Sequence, residues 1–119
     1  MKKECIICDI SNIIGKRWTL LILLELYKGN SEWKRFSELK NRLGNITQKI
    51  LSSRLKELKK EDFIEKKIDK SKVPIKCEYR LTKSGRDFIK IIKNIKKWTF
   101  KWRKYRQSCI INDCKNCEN

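Results

Sequence analysis

The feature that most constrains the fold is a stretch of thirteen residues, 46–58, in which apolar side chains recur at helical spacing. Ile50, Leu51, Leu55 and Leu58 would share one side of a helix, and the opposite side is polar. An amide can pair with an adenine edge, a guanidinium with guanine, and a hydroxyl or ammonium group with phosphate. Such groups make up the polar side, which carries Gln48, Lys49, Ser52, Ser53 and Arg54. The stretch therefore predicts a helix that lies in the major groove of DNA.

The charge of the chain also favours a polyanionic partner. Against 14 Asp and Glu there are 31 Lys and Arg, which gives a net charge of +17 over 119 residues. Such an excess repels itself unless a polyanion is close. Nucleic acid fits better than a membrane, because the longest unbroken apolar run, 20–24, is too short to span a bilayer. Since the N-terminus does not resemble a signal peptide, we expect a cytoplasmic protein with no membrane partner.

Enzymatic activity is not expected. The sequence contains no His, which removes the usual general base and the Ser-His and Cys-His nucleophile pairs. Its four glycines are isolated from one another, so no glycine-rich phosphate-binding loop is present. The composition therefore favours a binding protein over a catalyst.

The first half of the chain predicts a helix-turn-helix. Residues 9–14 and 16–27 are typical of helices, and the second is apolar nearly all round, which places it in the middle of the core. A short third helix, marked by Phe36, Leu39 and Leu43, ends at a turn formed by residues 44 and 45. Thr47 then suits the N-cap of the fourth helix. Two short helices joined by such a turn form a helix-turn-helix.

The second half adds a hairpin and a long helix. Two strands are predicted at 63–68 and 77–81, joined by a segment with three lysines and the only proline. Thr82 would cap a helix that extends to about residue 107. The predicted fold class is thus mainly α with a small β-hairpin wing, a winged helix-turn-helix with a long C-terminal dimerisation helix. We assign residues 1–108 to the DNA-binding domain with its dimerisation helices and 109–119 to a cysteine-containing tail.

The last predicted helix carries an apolar seam. Large apolar residues alternate at intervals of three and four along it, which is the pattern of a coiled-coil interface. They are Phe88, Ile91, Ile95, Trp98, Trp102 and Tyr105. Such a stripe can also cover the chain's own core, but this one continues beyond the length of a small domain. We therefore expect a homodimer, which also suits an operator with two half-sites.

Four motifs follow one another along the chain: GKRWTLLIL at 15–23, RFSEL at 35–39, ITQKILSSRLKEL at 46–58, and VP, EYRLT and GR at 73–74, 78–82 and 85–86. In this order they resemble the HxlR-type transcriptional regulators, relatives of the MarR-type winged helices. The resemblance implies dimeric repressors or activators that bind an operator in double-stranded DNA. The fourth helix would enter the major groove, the wing would lie on its flank, and the first and last helices would form the dimer interface.

Together, the residue pattern and the resemblance give one set of candidate DNA contacts. It combines the reading helix, the start of the third helix and the basic connection of the wing. The set is Arg35, Ser37, Thr47, Gln48, Lys49, Ser52, Ser53, Arg54, Lys70, Lys72 and Lys76.

The six cysteines leave several alternatives open. Two pairs have the two-residue gap that lets two thiolates bind one ion: Cys5 with Cys8, and Cys114 with Cys117. Together the two pairs predict a zinc site with four thiolate ligands. With Cys109 available, an iron-sulfur cluster is a second option. Disulfide or redox switching is a third, and unconnected thiols a fourth.

The other cysteine and the family resemblance add two expectations. Cys77 occupies an apolar strand position and is expected in the core. The resemblance implies that Cys5 matches a family cysteine that senses electrophiles or oxidants in some members. The chain departs from the family pattern at Ile6, where Pro is frequent, in a longer loop at 29–34, and in its cysteine tail.

The leading hypothesis is therefore a sequence-specific dimeric regulator that is controlled by cysteine redox state or a cysteine-bound metal. Two alternatives come from other classes of protein. A non-specific architectural DNA- or RNA-binding protein would use the same charge without reading bases. A small redox or metal protein would use the winged helix only as a scaffold for its cysteines.

Overall fold

The computed structural model describes residues 5–103 and Lys115. It contains five helices and three strands in these residues, in agreement with the predicted class. The elements are α1 (Ile6–Ile14), α2 (Thr19–Tyr27), β1 (Lys34–Arg35), α3 (Phe36–Leu43), α4 (Gln48–Lys60), β2 (Ile64–Asp69), β3 (Lys76–Leu81) and α5 (Lys83–Trp102). Within the described residues, no helix is both long and apolar enough to cross a membrane.

Two threonines start the helices that matter most for the fold. The Thr47 hydroxyl accepts a hydrogen bond from the Ile50 N–H at 3.1 Å, and the Thr82 hydroxyl accepts one from the Gly85 N–H at 3.1 Å. Each bond satisfies a backbone donor that the helix itself leaves unpaired. Between α3 and α4, Gly44 has a φ of 72°, which a side chain with a Cβ rarely adopts. Both predicted caps and the predicted turn are confirmed.

The core is formed by side chains of α2, α3, α4, α5, β2 and β3. Ile22 and Leu23 of α2 are fully buried, as are Leu51, Leu55 and Leu58 of α4. The predicted second helix, 16–27, does lie in the core, but α2 begins only at Thr19, and half of the Leu21 surface is exposed. The chain before it turns at Trp18, whose φ is 82°.

The wing is a β2–β3 hairpin in which Ile64 lies opposite Leu81 and Asp69 opposite Lys76. The two-residue strand β1, which was not predicted, pairs with β3 on its other edge. Because β1 leads directly into α3, this pairing fixes α3 against the sheet. Lys34 of β1 is itself anchored, since its ammonium donates hydrogen bonds to the carbonyl oxygens of Leu26 at 2.8 Å and Ser31 at 3.0 Å. Burial lowers the pKa of Lys34.

The helix α5 ends at Trp102, about five residues before the predicted end, and Arg103 has extended backbone angles. Its first turns belong to the core of the chain. Phe88 is buried and packs edge-on against Phe63, with 5.3 Å between the ring centroids. The predicted seam therefore begins inside the chain's own core, and only its later residues reach the surface.

Gly85 provides a stability prediction. A Cβ built on Gly85 would lie 2.1 Å from the Phe63 carbonyl oxygen, which is backbone and has little room to move. Gly85→Ala should therefore lower the free energy of unfolding by about 3 kcal/mol through overpacking, although Ala elsewhere in a helix is more favourable than Gly by about 1 kcal/mol. Urea unfolding would measure the change, with Ser84→Ala on the exposed side as the control. A higher unfolding midpoint for Gly85→Ala would contradict this packing.

Candidate DNA-binding surface

The helix α4 presents the polar side that its sequence predicts. With its leucines buried, the helix leaves Thr47, Gln48, Lys49 and Ser53 exposed and Ser52 half-buried. Residues 49 and 53 lie one turn apart on the outermost side, while 48 and 52 lie one turn apart on the side nearer the wing. The side chains are those expected to contact bases and phosphates.

A groove separates α4 from the wing. It has a volume of about 570 Å³ and is lined by Gln48 and Ser52 from α4, Arg35 at the end of β1 and Ser37 in the first turn of α3, and Lys72 and Lys76 from the wing. The structure thus brings six of the predicted contacts together from three separate parts of the chain. The sequence did not predict the apolar part of the lining, which includes Phe36, Val73, Pro74 and Ile75.

Arg54 lies away from this groove. Its Nε donates a hydrogen bond to the carbonyl oxygen of Arg17 at 3.2 Å, in the loop between α1 and α2. One turn further along α4, Glu57 forms an ion pair with Lys16 of the same loop. These two contacts hold α4 against the N-terminal part of the fold, so Arg54 helps to orient the reading helix.

The wing tip is exposed and basic. Lys70 and Lys72 are exposed there, whereas Lys76 lies 3.5 Å from the Glu78 carboxylate. The turn is ordered by Asp69, whose Oδ1 accepts hydrogen bonds from the Ser71 hydroxyl and, at 3.0 Å, from the Ser71 N–H. These bonds hold the pKa of Asp69 below its usual value. Among the described residues, neither Lys70 nor Lys72 has a carboxylate at ion-pairing distance. The turn therefore presents both ammonium groups to a ligand.

Cys77 lies at the end of β3 that lines the groove. It is half-buried and packs against the core, so the expected core position is only partly correct. Alternation along β3 placed it on the same face as the buried Tyr79 and Leu81. The alternation of apolar residues did not predict the partial exposure of Cys77, because β3 extends past the core towards the wing tip.

Cys5 and Cys8 form a hydrogen-bonded pair at the start of α1. Cys5 is the N-cap, and its Sγ accepts a hydrogen bond from the Cys8 N–H at 3.2 Å. A hydrogen bond between the two side chains lowers the pKa of the Cys5 thiol and raises that of Cys8. This arrangement favours a thiolate at Cys5, which is the reactive form of the residue.

The remaining predicted thiol ligands, Cys109, Cys114 and Cys117, lie outside the described residues, as does Tyr105 of the seam. Among residues 5–103 and Lys115, no three potential ligands of the His, Cys, Asp or Glu type come together. A zinc or iron-sulfur site that uses both cysteine pairs therefore stays a prediction.

An apolar stripe runs along the exposed side of α5. Ile91 and Ile95 are 49% and 43% exposed, and Trp98 and Trp102 are 56% and 66% exposed. On α1, Ile6 and Ile7 are also largely exposed. Large apolar side chains in such a row are unusual on the surface of a monomer. We call the four α5 residues the α5 stripe.

Comparison with known proteins gives a consistent result. Residues 13–107 match the model of the HxlR-like helix-turn-helix family. The chain is 36% identical over 91 residues to the HTH-type transcriptional regulator YvaP of Bacillus subtilis, and the match covers 76% of this chain and 81% of YvaP.

Solved structures agree with the sequence matches. A MarR-family regulator from Porphyromonas gingivalis W83 has a TM-score of 0.72 at 32% identity, and the match covers 86% of this chain and 96% of that one. The redox regulator HypR, in its oxidized form, has a TM-score of 0.70 at 29% identity, with coverage of 85% and 100%. The fold described above is therefore that of known winged-helix regulators.

Proposed function

The chain belongs to the HxlR-like helix-turn-helix family and is a DNA-binding transcriptional regulator, and we propose that it reads a specific operator in double-stranded DNA as a homodimer. The observation that carries the proposal is the groove that joins Gln48 and Ser52 of α4 to Lys72 and Lys76 of the wing. A duplex that lies across the two walls of this groove would meet base-reading and phosphate-binding groups together. Two subunits would place two copies of α4 in successive major grooves.

The two parts of this surface have different roles in the proposal. Gln48, with Ser52 and Ser53 beside it, reads base edges, since a side-chain amide pairs in two places with adenine. Lys70 and Lys72 contact phosphates and carry no sequence information. Arg54 positions α4 through the Arg17 carbonyl oxygen and reaches DNA only if it leaves that contact.

Substitution of one residue in each part should separate the two roles. Gln48→Ala should cost about 1 to 3 kcal/mol at the contacted base pair and relax the sequence preference there. Lys72→Ala should weaken binding to all sequences alike and lower the salt slope by about one. Titrations of operator and random duplexes at several salt concentrations would measure both effects, with Lys83→Ala on α5 as the control. Equal losses on both duplexes for Gln48→Ala and Lys72→Ala would exclude this division.

Selection of DNA from a random pool tests the proposed function as a whole. A dimeric regulator should enrich one motif with two half-sites related by a twofold axis. An architectural protein should instead retain the pool without enrichment, because it contacts the backbone and not the bases. The selection should be run on reduced and on oxidised protein, with metal analysis of the same samples.

We further propose that the cysteines control DNA binding through thiol oxidation. Support comes from the lowered pKa of Cys5, which hydrogen-bonds with Cys8, and from the similarity to HypR, which is a redox regulator. A metal held by both cysteine pairs is the second candidate, because Cys114 and Cys117 repeat the same gap. A brown colour in an anaerobic preparation would indicate an iron-sulfur cluster.

We also propose a boundary between the DNA-binding domain and a C-terminal tail. We place the end of the DNA-binding domain at residue 108 and treat 109–119 as a tail with its own cysteines. We expect such a regulator to carry no catalytic site and to work in the cytoplasm.

A further inference from the structure

A second basic cavity shares one lining residue, Tyr79, with the groove. Its volume is about 420 Å³, and it opens between the second half of α4 and the strand β2. Its lining consists of Leu55, Lys56, Lys59, Lys60, Lys66 and Tyr79. We call the four lysines the lysine cluster. They come from two elements that only the folded chain brings together.

The charges of the lysine cluster are not compensated within the part of the chain that the structure describes. None of its four ammonium groups has a carboxylate at ion-pairing distance there, whereas Lys16, Lys67 and Lys76 each have one. Lys66 lies 5.7 Å from the centre of the Tyr79 ring, a contact that leaves its charge in place. Four like charges around one cavity repel one another unless an anion joins them.

The position of the cavity relative to the groove bears on which anion it would hold. Tyr79 lines both spaces, so the cavity continues the DNA-binding surface. From Gln48 to Lys60 the helix axis advances about 18 Å, more than the major groove width of about 12 Å. When the start of α4 reads base edges, its second half therefore approaches the backbone that borders the groove.

We propose that the lysine cluster binds backbone phosphates of the operator next to the bases that Gln48 reads. This inference rests on the proposed function. Ammonium groups act on phosphates as point charges, so the site adds affinity for any sequence and does not discriminate between bases. The sequence alone suggested only a solvated charged face at residues 59–60 and 66–67.

Neutralising three members of the cluster tests the site. Lys59→Gln, Lys60→Gln and Lys66→Gln together should make the slope of log affinity against log salt less steep by about two to three, since each phosphate contact contributes about 0.9. Affinity for operator and random duplexes should fall by the same factor. Replacing the same lysines by Arg should restore the slope. Circular dichroism and melting would verify that the variants are folded.

A matched control separates contact from net charge. Lys83→Gln, Lys90→Gln and Lys97→Gln remove the same charge from exposed positions one heptad apart on α5, and should change the slope by less than one. If the wild-type protein binds DNA and the two triple variants have equal slopes of log affinity against log salt, the proposed site is wrong. If the wild type binds no duplex at all, the proposed function fails first.

Inorganic phosphate distinguishes a DNA site from a site for a free anion. At constant ionic strength, millimolar phosphate should raise the melting temperature of the wild type by no more than it raises that of the cluster variant. Saturable stabilisation by phosphate that is lost in the cluster variant would assign the cavity to a free anion and would overturn the DNA assignment.

Discussion

Replacing Trp98 and Trp102 with Glu should convert the protein into a monomer. The two indoles are more than half exposed in the single chain and continue the row of Ile91 and Ile95. In a dimer they would be desolvated against the partner, and a carboxylate there would lose its hydration without gaining a partner charge. In a dimer, the second subunit binds its half-site at a high effective concentration once the first subunit is bound. A monomer loses this advantage, so operator affinity should fall about a hundredfold or more.

Two control variants test the cause of that loss. Trp98→Phe with Trp102→Phe keeps large apolar groups and should preserve the dimer. Lys83→Gln with Ser84→Glu changes the net charge by the same two units in the first turn of α5 and should leave both properties unchanged. Sedimentation equilibrium would report the mass. An unchanged dimer of the Trp→Glu variant that still binds operator would place the interface elsewhere.

The parts of this fold that depend on local patterns were predictable. Thr47 and Thr82 cap their helices through bonds to residues three positions ahead, so the signal lies within one turn of sequence. The leucines of α4 recur at helical spacing because one side of that helix is buried. The wing followed from strand alternation interrupted by lysines and the only proline.

The parts that depend on distant contacts were not predictable. β1 has only two residues, too few to alternate, and exists because it pairs with β3. The orientation of Arg54 depends on the Arg17 carbonyl oxygen, 37 positions earlier in the chain. In α5, the same three-and-four spacing serves two surfaces, so Phe88 enters the core while Ile91 and Ile95 remain outside.

The candidate site shows the same division between local and distant effects. The types of residue that contact DNA could be assigned from one helix and one hairpin, because their chemistry is local. The groove that unites Arg35 with Gln48 and Lys72 is a product of the sheet order, in which β3 lies between β1 and β2. The lysine cluster likewise needs Lys66 of β2 to face α4, which spacing along the chain does not show.

Oxidation of the reduced protein should change its affinity for the operator, and Cys5→Ser should abolish the change. A thiolate at Cys5, favoured by the Cys8 side chain, is the group that attacks an oxidant first. With hydrogen peroxide, two thiols give up two electrons and two protons, forming one disulfide and two waters, so the mass of the chain falls by about 2 Da. We expect a change in affinity of roughly 5- to 150-fold, the usual range for coupled sites.

The pKa values of Cys5 and Cys8 add a kinetic test. Because the pKa of Cys5 is lowered and that of Cys8 is raised, iodoacetamide should modify Cys5 faster than Cys8 near pH 7. The difference should shrink as the pH rises and both thiols ionise. Peptide mass spectrometry after brief labelling would measure the two rates. Equal rates at neutral pH would remove Cys5 as the primary sensor.

The other cysteines determine how far the switch extends. If both pairs act as one unit, Cys8→Ser, Cys114→Ser and Cys117→Ser should each cause the same loss of redox or metal response as Cys5→Ser. A physical link is available, since the start of α1 and the α5 stripe both belong to the proposed interface, and a change there would alter the spacing of the two copies of α4. Cys77→Ser should retain the response, because that thiol lies in the groove and not in the interface. DNA binding that is indifferent to oxidant, chelator and all of these substitutions would leave a regulator with no cysteine control.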